Sequence, residues 1–350
     1  MAGSGLGKSG GFPARLGRYA RRAATMVRPM NGAPRSEAAI GVPPPAPLPH
    51  SVHQLYRGYT EADLAIFDRF PPDPALRPMP GFVTNFLGVR TRTSFVRGAE
   101  AMDTVVLNLP VPDDGWHSDA VEWIGLLKSV AAARGRFTAM ELGAGWGPWA
   151  VAGAVAARRL GIGDIRLCAI EADAGHCGFM DQHFRDNGLD PTAHRLVHAA
   201  VGTEPGLTRW PKVADPAADW GSRPLAEAAP GAVDHVGRAF AEWIDVQVVP
   251  FAGLLLGQPA WDLVHVDVQG WEFDLCAGAA ALLDERVRWL VVATHDAKLH
   301  GDLVDLMFRR GWVLENEKPP RFGWRQGVPT LMAMTTQDGT QVWRNPALAA

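Results

Sequence analysis

The sequence predicts an α/β fold, a doubly wound, mostly parallel seven-stranded sheet with helices on both faces, preceded by an N-terminal helical extension. Three observations predict it. From residue 137 onward, short apolar runs alternate with amphipathic stretches at helical spacing. Most of those runs are apolar throughout rather than at every second residue, as in strands covered on both faces. Glycines at Gly188 and Gly311 stand where two of the helical stretches should stop.

The elements follow in order. Residues 1–36 carry seven Lys and Arg and no acid, and 41–50 hold five prolines, so 1–52 read as a disordered basic tail and a stiff linker. Residues 53–136 form the extension. Within it, 60–69 read as a helix capped by Thr60 with Asp63 three residues on, and 71–80 as a proline-rich break. Residues 118–134 place Val121, Ile124, Leu127, Lys128 and Ala131 at helical spacing. The sheet domain is 137–345. Its strands are expected at 137–142, 165–170, 195–201, 261–267, 289–294, 312–315 and 330–335, and its helices at 149–160, 176–187, 271–283 and 299–310. Residues 203–245 interrupt this pattern with Trp210, Trp220, Phe240 and Trp243 among several prolines. An insertion at a strand end is expected to cover the site.

Composition narrows the function classes. The chain is 47 % hydrophobic and 20 % charged with a net charge of −3, an ordinary globular balance. The tail holds +7 of that charge, which leaves −10 on the remainder and argues against a nucleic-acid partner. Cys168, Cys177 and Cys276 form no CxxC pair, which argues against a disulfide framework or a zinc site. No apolar run approaches the ~18 residues of a membrane span, and the N-terminus lacks a secretory apolar stretch. The expectation is a cytoplasmic protein without a membrane partner.

In a doubly wound sheet, ligands bind at the carboxyl ends of the strands. The first strand ends in ELGAGWG (141–147): Gly143, Ala144, Gly145, Trp146 and Gly147 make a tight turn into a helix, whose free N–H groups face a ligand. The GxGxG spacing suits a pyrophosphate less well than a carboxylate and a sugar, and Glu141 would attract an ammonium group. The second strand ends in Glu171-Ala172-Asp173; Asp173 suits a helix cap, which leaves Glu171 for a ribose diol. Ala200 and Val201 end the third strand with small groups suited to a flat adenine edge. The fourth ends at Asp267, with Gln269, Trp271 and Glu272 beyond it as candidate substrate contacts, and the fifth ends at His295. His295 is expected as general base with Asp267 as its orienter, the latter also bordering the cofactor. Asp267, Glu272 and His295 show no metal-ligand motif, so no metal is expected.

Together these residues resemble a class I S-adenosylmethionine-dependent methyltransferase, and more narrowly the FkbM family. The matching pieces are ELGAGWG (141–147), AIEAD (169–173), NGL (187–189) with HAAVGTEPG (198–206), and LVHVDVQGWEFDLCAGA (263–279). Gln269 stands where relatives carry Glu, and His295 where many show an acid. The resemblance implies a Rossmann-like fold, S-adenosylmethionine as cofactor, and methyl transfer to a hydroxyl of a small metabolite, polyketide or sugar. Two other readings stay open: a nicotinamide-dependent oxidoreductase, and a methyltransferase-like protein that binds without turnover.

Overall fold

The computed structural model describes residues 57–99, 102, 105–111, 119–224, 240, 242–328 and 330–348. The basic tail, the first proline-rich linker and residues 112–118 lie outside them, as do 225–239 and 241 of the insertion.

Seven strands form the central sheet: β1 (Arg136–Leu142), β2 (Asp164–Glu171), β3 (Arg195–His198), β4 (Trp261–Val266), β5 (Val287–Thr294), β6 (Val313–Lys318) and β7 (Gly339–Arg344). Their spatial order is β3-β2-β1-β4-β5-β7-β6. β3 through β5 pair in parallel, and β7 lies antiparallel between β5 and β6. This is the doubly wound, mostly parallel seven-stranded α/β sheet that the sequence predicts. Strand order reverses between β1 and β4, so a crevice must open where their carboxyl ends diverge.

Among the helices that cover the sheet are α1 (Ala120–Ala132), α2 (Pro148–Arg159), α3 (Ala174–Asp186), α4 (Glu272–Gly278), α5 (Ala280–Arg286) and α6 (Ala297–Arg309). The pleat divides the apolar residues between two cores. Phe137 and Ala139 of β1 and Trp289 and Val291 of β5 pack with α1, α2 and α3. Met140 and Leu142, with Leu290 and Val292, pack with α4, α5 and α6. α1 alone buries Trp123, Ile124, Leu126, Leu127 and Val130 to 1 % exposure or less, each worth roughly 1.5–3 kcal/mol of burial. Glu141 and His265 fall on the α1–α2 face, register partners at neighbouring strand ends.

Several boundaries differ from the sequence expectation. The third strand breaks at Ala199: Arg195–His198 stays in the main sheet, while Ala200–Gly202 joins a side sheet with Trp243–Pro250 and Gly206–Pro211. The insertion therefore builds its own sheet on the end of the third strand. The expected strand at 330–335 is mostly a helical turn, Leu331–Met334, capped by the Thr330 hydroxyl; the true seventh strand begins at Gly339. A short apolar run such as LMAM fits both periods. The helix at 271–283 divides into α4 and α5 at Ala279. That at 60–69 is one α-turn under the Thr60–Asp63 capping box, followed by a 3-10 turn. The extension also contains strands, Phe82–Asn85, Arg90–Arg92 and Val105–Leu107. It docks on α3 through Arg92, whose guanidinium donates to both Asp186 carboxylate oxygens at 2.6 and 2.8 Å.

Candidate active site

The glycine loop joins β1 to α2. Gly143 and Gly145 have φ of 69° and 55°. A Cβ on Gly143 would lie 1.8 Å from the Asp267 carbonyl oxygen, so the loop rests directly on the backbone at the end of β4. A Cβ on Gly145 would stand 3.2 Å from the Trp220 ring. Glycine alone satisfies both the left-handed φ and the close approach.

Over this loop lies a cavity of about 490 Å³. It runs along the carboxyl ends of β1, β2 and β4, with walls from the extension (Val96, Ala99, Met102) and the insertion (Trp210, Trp220, Ser222). Of the residues singled out in the sequence, Glu141, Gly143, Ala144, Gly145, Trp146, Glu171, Ala172, Ala200, Val201, Asp267, Gln269 and Trp271 border it. Gly147, Glu272 and His295 do not. Gly147 is the N-cap of α2 and faces Met180 and Phe184.

At the β2 end, the Glu171 carboxylate accepts the N–H groups of Gly145 at 2.8 Å and Asp173 at 2.7 Å. Burial alone would raise its pKa, but His176 and these N–H groups outweigh it and hold the carboxyl below its usual range. Asp173 caps α3 by accepting from the His176 N–H. Trp220 stacks on His176, ring centroids 4.1 Å apart, and meets Trp146 edge-on at 4.6 Å. Ala172, Ala200 and Trp210 form one apolar patch beside them.

At the β4 end, Glu141 is buried and accepts only from the first turn of α2, from Trp149 N–H at 3.2 Å and Ala150 N–H at 2.8 Å. Burial pushes its pKa up to about 7. His265 Nε2 lies 2.9 Å from Glu122 Oε1 of α1. Both residues border the cavity, and neither was singled out from the sequence. Asp267 is partly exposed to the cavity and accepts from Gln269 Nε2 at 3.1 Å. Gln269 has φ of 57°, the sole non-glycine residue with positive φ among those described, so a strained turn carries the end of β4.

His295, expected as the general base, does not border the cavity. Its Nε2 lies 3.3 Å from Asp267 and its Nδ1 2.8 Å from Glu272, one layer behind the cavity wall. Burial opposes its charge, but Glu272 and then Asp267 outweigh it, raising its pKa well above 6.5. With a carboxylate oxygen beside each nitrogen, the ring faces Asp267 and Glu272 rather than the cavity, which it does not border. Glu272, expected as a substrate contact, likewise does not border it. It is fully buried and ties the turn by accepting from the Val268 and Gly270 N–H groups. The three ligand atoms of Asp267, Glu272 and His295 fall within 4.8 Å of one another.

The residues present fit the expected cofactor. Glu171 stands at the second strand end, small and aromatic side chains line the wall beside it, and buried polar atoms of wall residues have no partner. Among the described residues these atoms are Trp146 Nε1, Trp210 Nε1, Ser222 Oγ and His265 Nδ1. No helix of the described residues is long and apolar enough to cross a membrane.

No known family profile matches the chain. A curated protein of Jannaschia sp. (strain CCS1) that carries a provisional methyltransferase name is 28 % identical over 270 residues, 77 % of this chain and 94 % of that protein. Among solved structures, precorrin-6y C5,15-methyltransferase from Geobacter metallireducens superposes with a TM-score of 0.34 at 10 % identity, covering 63 % of this chain and 86 % of that one. Ribosomal protein L11 methylase from Lactobacillus delbrueckii subsp. bulgaricus gives 0.33 at 11 %, covering 70 % and 86 %. In sequence the chain is similar to a methyltransferase-named protein over most of both lengths.

Proposed function

We propose that this chain is a methyltransferase that uses S-adenosylmethionine and methylates a hydroxyl of a small, uncharged metabolite of polyketide or sugar type. The observation that carries the reading is the cavity itself. It follows the glycine loop from Glu171 at β2 to Asp267 at β4, and no lysine or arginine of the described residues borders it. Glu122, Glu141, Glu171, Asp173, Glu204 and Asp267 do border it. Such a wall favours a cofactor with net positive charge and repels phosphorylated acceptors and nucleic-acid backbones. The similarity to the Jannaschia protein supports the same class.

When bound, the cofactor supplies a sulfonium-activated methyl group. The chain's task is alignment, which can supply on the order of 7–11 kcal/mol. Glu171 accepts from the ribose hydroxyls with the oxygen lone pairs left over after its two backbone bonds. Glu141 faces the ammonium group. Asp267 accepts the hydrogen bond of the acceptor hydroxyl. Burial would raise its pKa, but His295, packed behind it at 3.3 Å, outweighs this and holds the carboxyl below its usual range. Asp267 is therefore an orienting group and a weak base, and His295 a positioning residue. Trp271, 48 % exposed at the rim, offers a face for an apolar or sugar acceptor.

The test is methyl transfer from tritiated S-adenosylmethionine to a panel of neutral hydroxylated, phosphorylated and RNA acceptors, alongside calorimetry with S-adenosylhomocysteine. Binding of the product together with labelling confined to neutral acceptors supports the reading. Binding of NADH in place of the product, or labelling confined to RNA or phosphorylated acceptors, overturns it.

A further inference from the structure

We propose that Gln269 is a positioning residue that fixes which oxygen of Asp267 meets the acceptor hydroxyl. This rests on the reading of Asp267 as the acceptor's partner, and it gives the glutamine a role that runs through that carboxylate rather than through the substrate.

The backbone comes first. Gln269 holds φ of 57°, a conformation that is strained for a residue with a Cβ and free for glycine. The turn does not use the glutamine side chain to make its own bonds. Glu272 accepts the N–H groups of Val268 and Gly270, each at 3.0 Å, and so ties the backbone on either side of Gln269. A glycine in its place would build the same turn without the strain. What the glutamine adds therefore lies in its side chain.

That side chain has one hydrogen bond among the described residues: Nε2 donates to Asp267 Oδ1 at 3.1 Å. The same oxygen faces His295 Nε2 at 3.3 Å. With both nitrogens on Oδ1, Oδ2 is left without a partner among the described residues. Asp267 borders the cavity and its side chain is 37 % exposed, against 2 % for His295. An acceptor O–H thus meets a carboxylate with one oxygen held and the other open. Rotation about the Cβ–Cγ bond of an aspartate is soft, so an unheld carboxylate has no fixed direction. In-line transfer needs the hydroxyl oxygen aligned with methyl and sulfur, and a lost direction is a lost rate.

The amide also suits the charges present. His295 from the end of β5, His265 within β4 and Glu141 from β1 act on Asp267, with Glu272 of α4 beyond His295. A donor at Gln269 adds a bond to Asp267 without adding another negative charge, whereas a carboxylate there would set two acceptors face to face.

The experiment measures methyl transfer from tritiated S-adenosylmethionine to neutral hydroxylated acceptors, with calorimetry on S-adenosylhomocysteine and urea unfolding, all on the full chain. Gln269→Gly should lower kcat about tenfold or more, as a misplaced reacting group does. It should bind S-adenosylhomocysteine within about twofold of wild type and unfold at no lower urea concentration. Added to Asp267→Ala, it should deepen the loss by less than about twofold, because it acts through that carboxylate. Gln269→Glu should give the kcat–pH profile an alkaline fall that wild type lacks, as two facing carboxylates form. Wild-type turnover in Gln269→Gly overturns the proposal. So does a loss that multiplies in full with that of Asp267→Ala, which would make Gln269 a substrate contact in its own right. A Gln269→Gly chain that folds but is less stable than wild type overturns it too, by making the side chain structural. Where that chain does not fold, a Gln269→Glu profile that follows wild type overturns it. These outcomes leave the cofactor and acceptor readings in place. A wild type that binds S-adenosylhomocysteine and labels no neutral acceptor overturns the acceptor reading, and this proposal with it.

Discussion

The two ends of the cavity use buried carboxylates in opposite ways. At the β2 end, Glu171 spends its oxygens on the Gly145 and Asp173 N–H groups and faces His176, and its pKa falls despite burial. At the β4 end, Glu141 holds only two N–H groups of α2, and burial wins, raising its pKa to about 7. The partners decide the sign of the shift. The carboxylate of the first end is fixed by backbone N–H groups and a histidine; that of the second is governed by burial. On the reading proposed above, the first end seats the nucleoside.

The comparison breaks most completely where the two ends are joined. Gly143→Ala would drive a Cβ into the Asp267 carbonyl at φ of 69°, and should cost about 3 kcal/mol or more of stability, read by thermal or urea unfolding. Glu171→Ala should weaken S-adenosylhomocysteine binding by about 1.5–3 kcal/mol. A 2′-deoxy analogue should then lose less affinity for the variant than for wild type; an equal loss would show that Glu171 does not meet the ribose.

A smaller effect is expected one layer behind the wall. His295→Gln should lower turnover about tenfold with cofactor affinity nearly unchanged, because it acts through Asp267. The variant also tests linkage. A histidine whose folded pKa is raised contributes stability that is full below its unfolded value near 6.5 and is lost as pH rises through the raised value. Wild type should therefore lose stability on the alkaline side, and the His295→Gln curve should be flatter there.

Glu141→Gln should change stability in the opposite direction. The raised carboxyl contributes stability below its unfolded value near 4.5, and this is lost as pH rises through about 7. The glutamine variant should thus gain stability relative to wild type at pH 8 and little at pH 4, by a few kcal/mol at most at ~1.4 kcal/mol per pKa unit. Its affinity for S-adenosylhomocysteine should fall. A variant no more stable at pH 8 than wild type would show that Glu141 is solvated rather than buried.

The sheet was legible because its signals are local. Apolar runs, glycine stops and the Thr60–Asp63 capping box each need only a few neighbouring residues. The misplaced last strand shows the limit: Leu331–Met334 is apolar enough for a strand, and only the Thr330 cap and the tight space at Gly339 decide otherwise. The glycine loop and the acids at strand ends were legible for the same reason, since position in a βα unit sets their direction. His265 was not. It precedes Asp267 by two residues inside an apolar strand, where a histidine reads as packing. Its partner is Glu122, more than a hundred residues earlier, at 2.9 Å. Likewise Val96, Ala99 and Met102 carry no motif, and only the folded chain brings them to the wall.

The position of β1 has a consequence for how the chain is made. Its neighbour on one side, β2, is synthesised within some tens of residues, but β4 follows only about 120 residues after β1 ends, because the side sheet and its long connection intervene. At ribosomal rates this delay is on the order of ten seconds. For that interval the half-built sheet presents β1 as an open, apolar edge, the kind of surface that recruits a second chain. The nascent protein therefore depends on whatever shields that edge until β4 arrives, and chaperone demand should fall on the first half of the sheet.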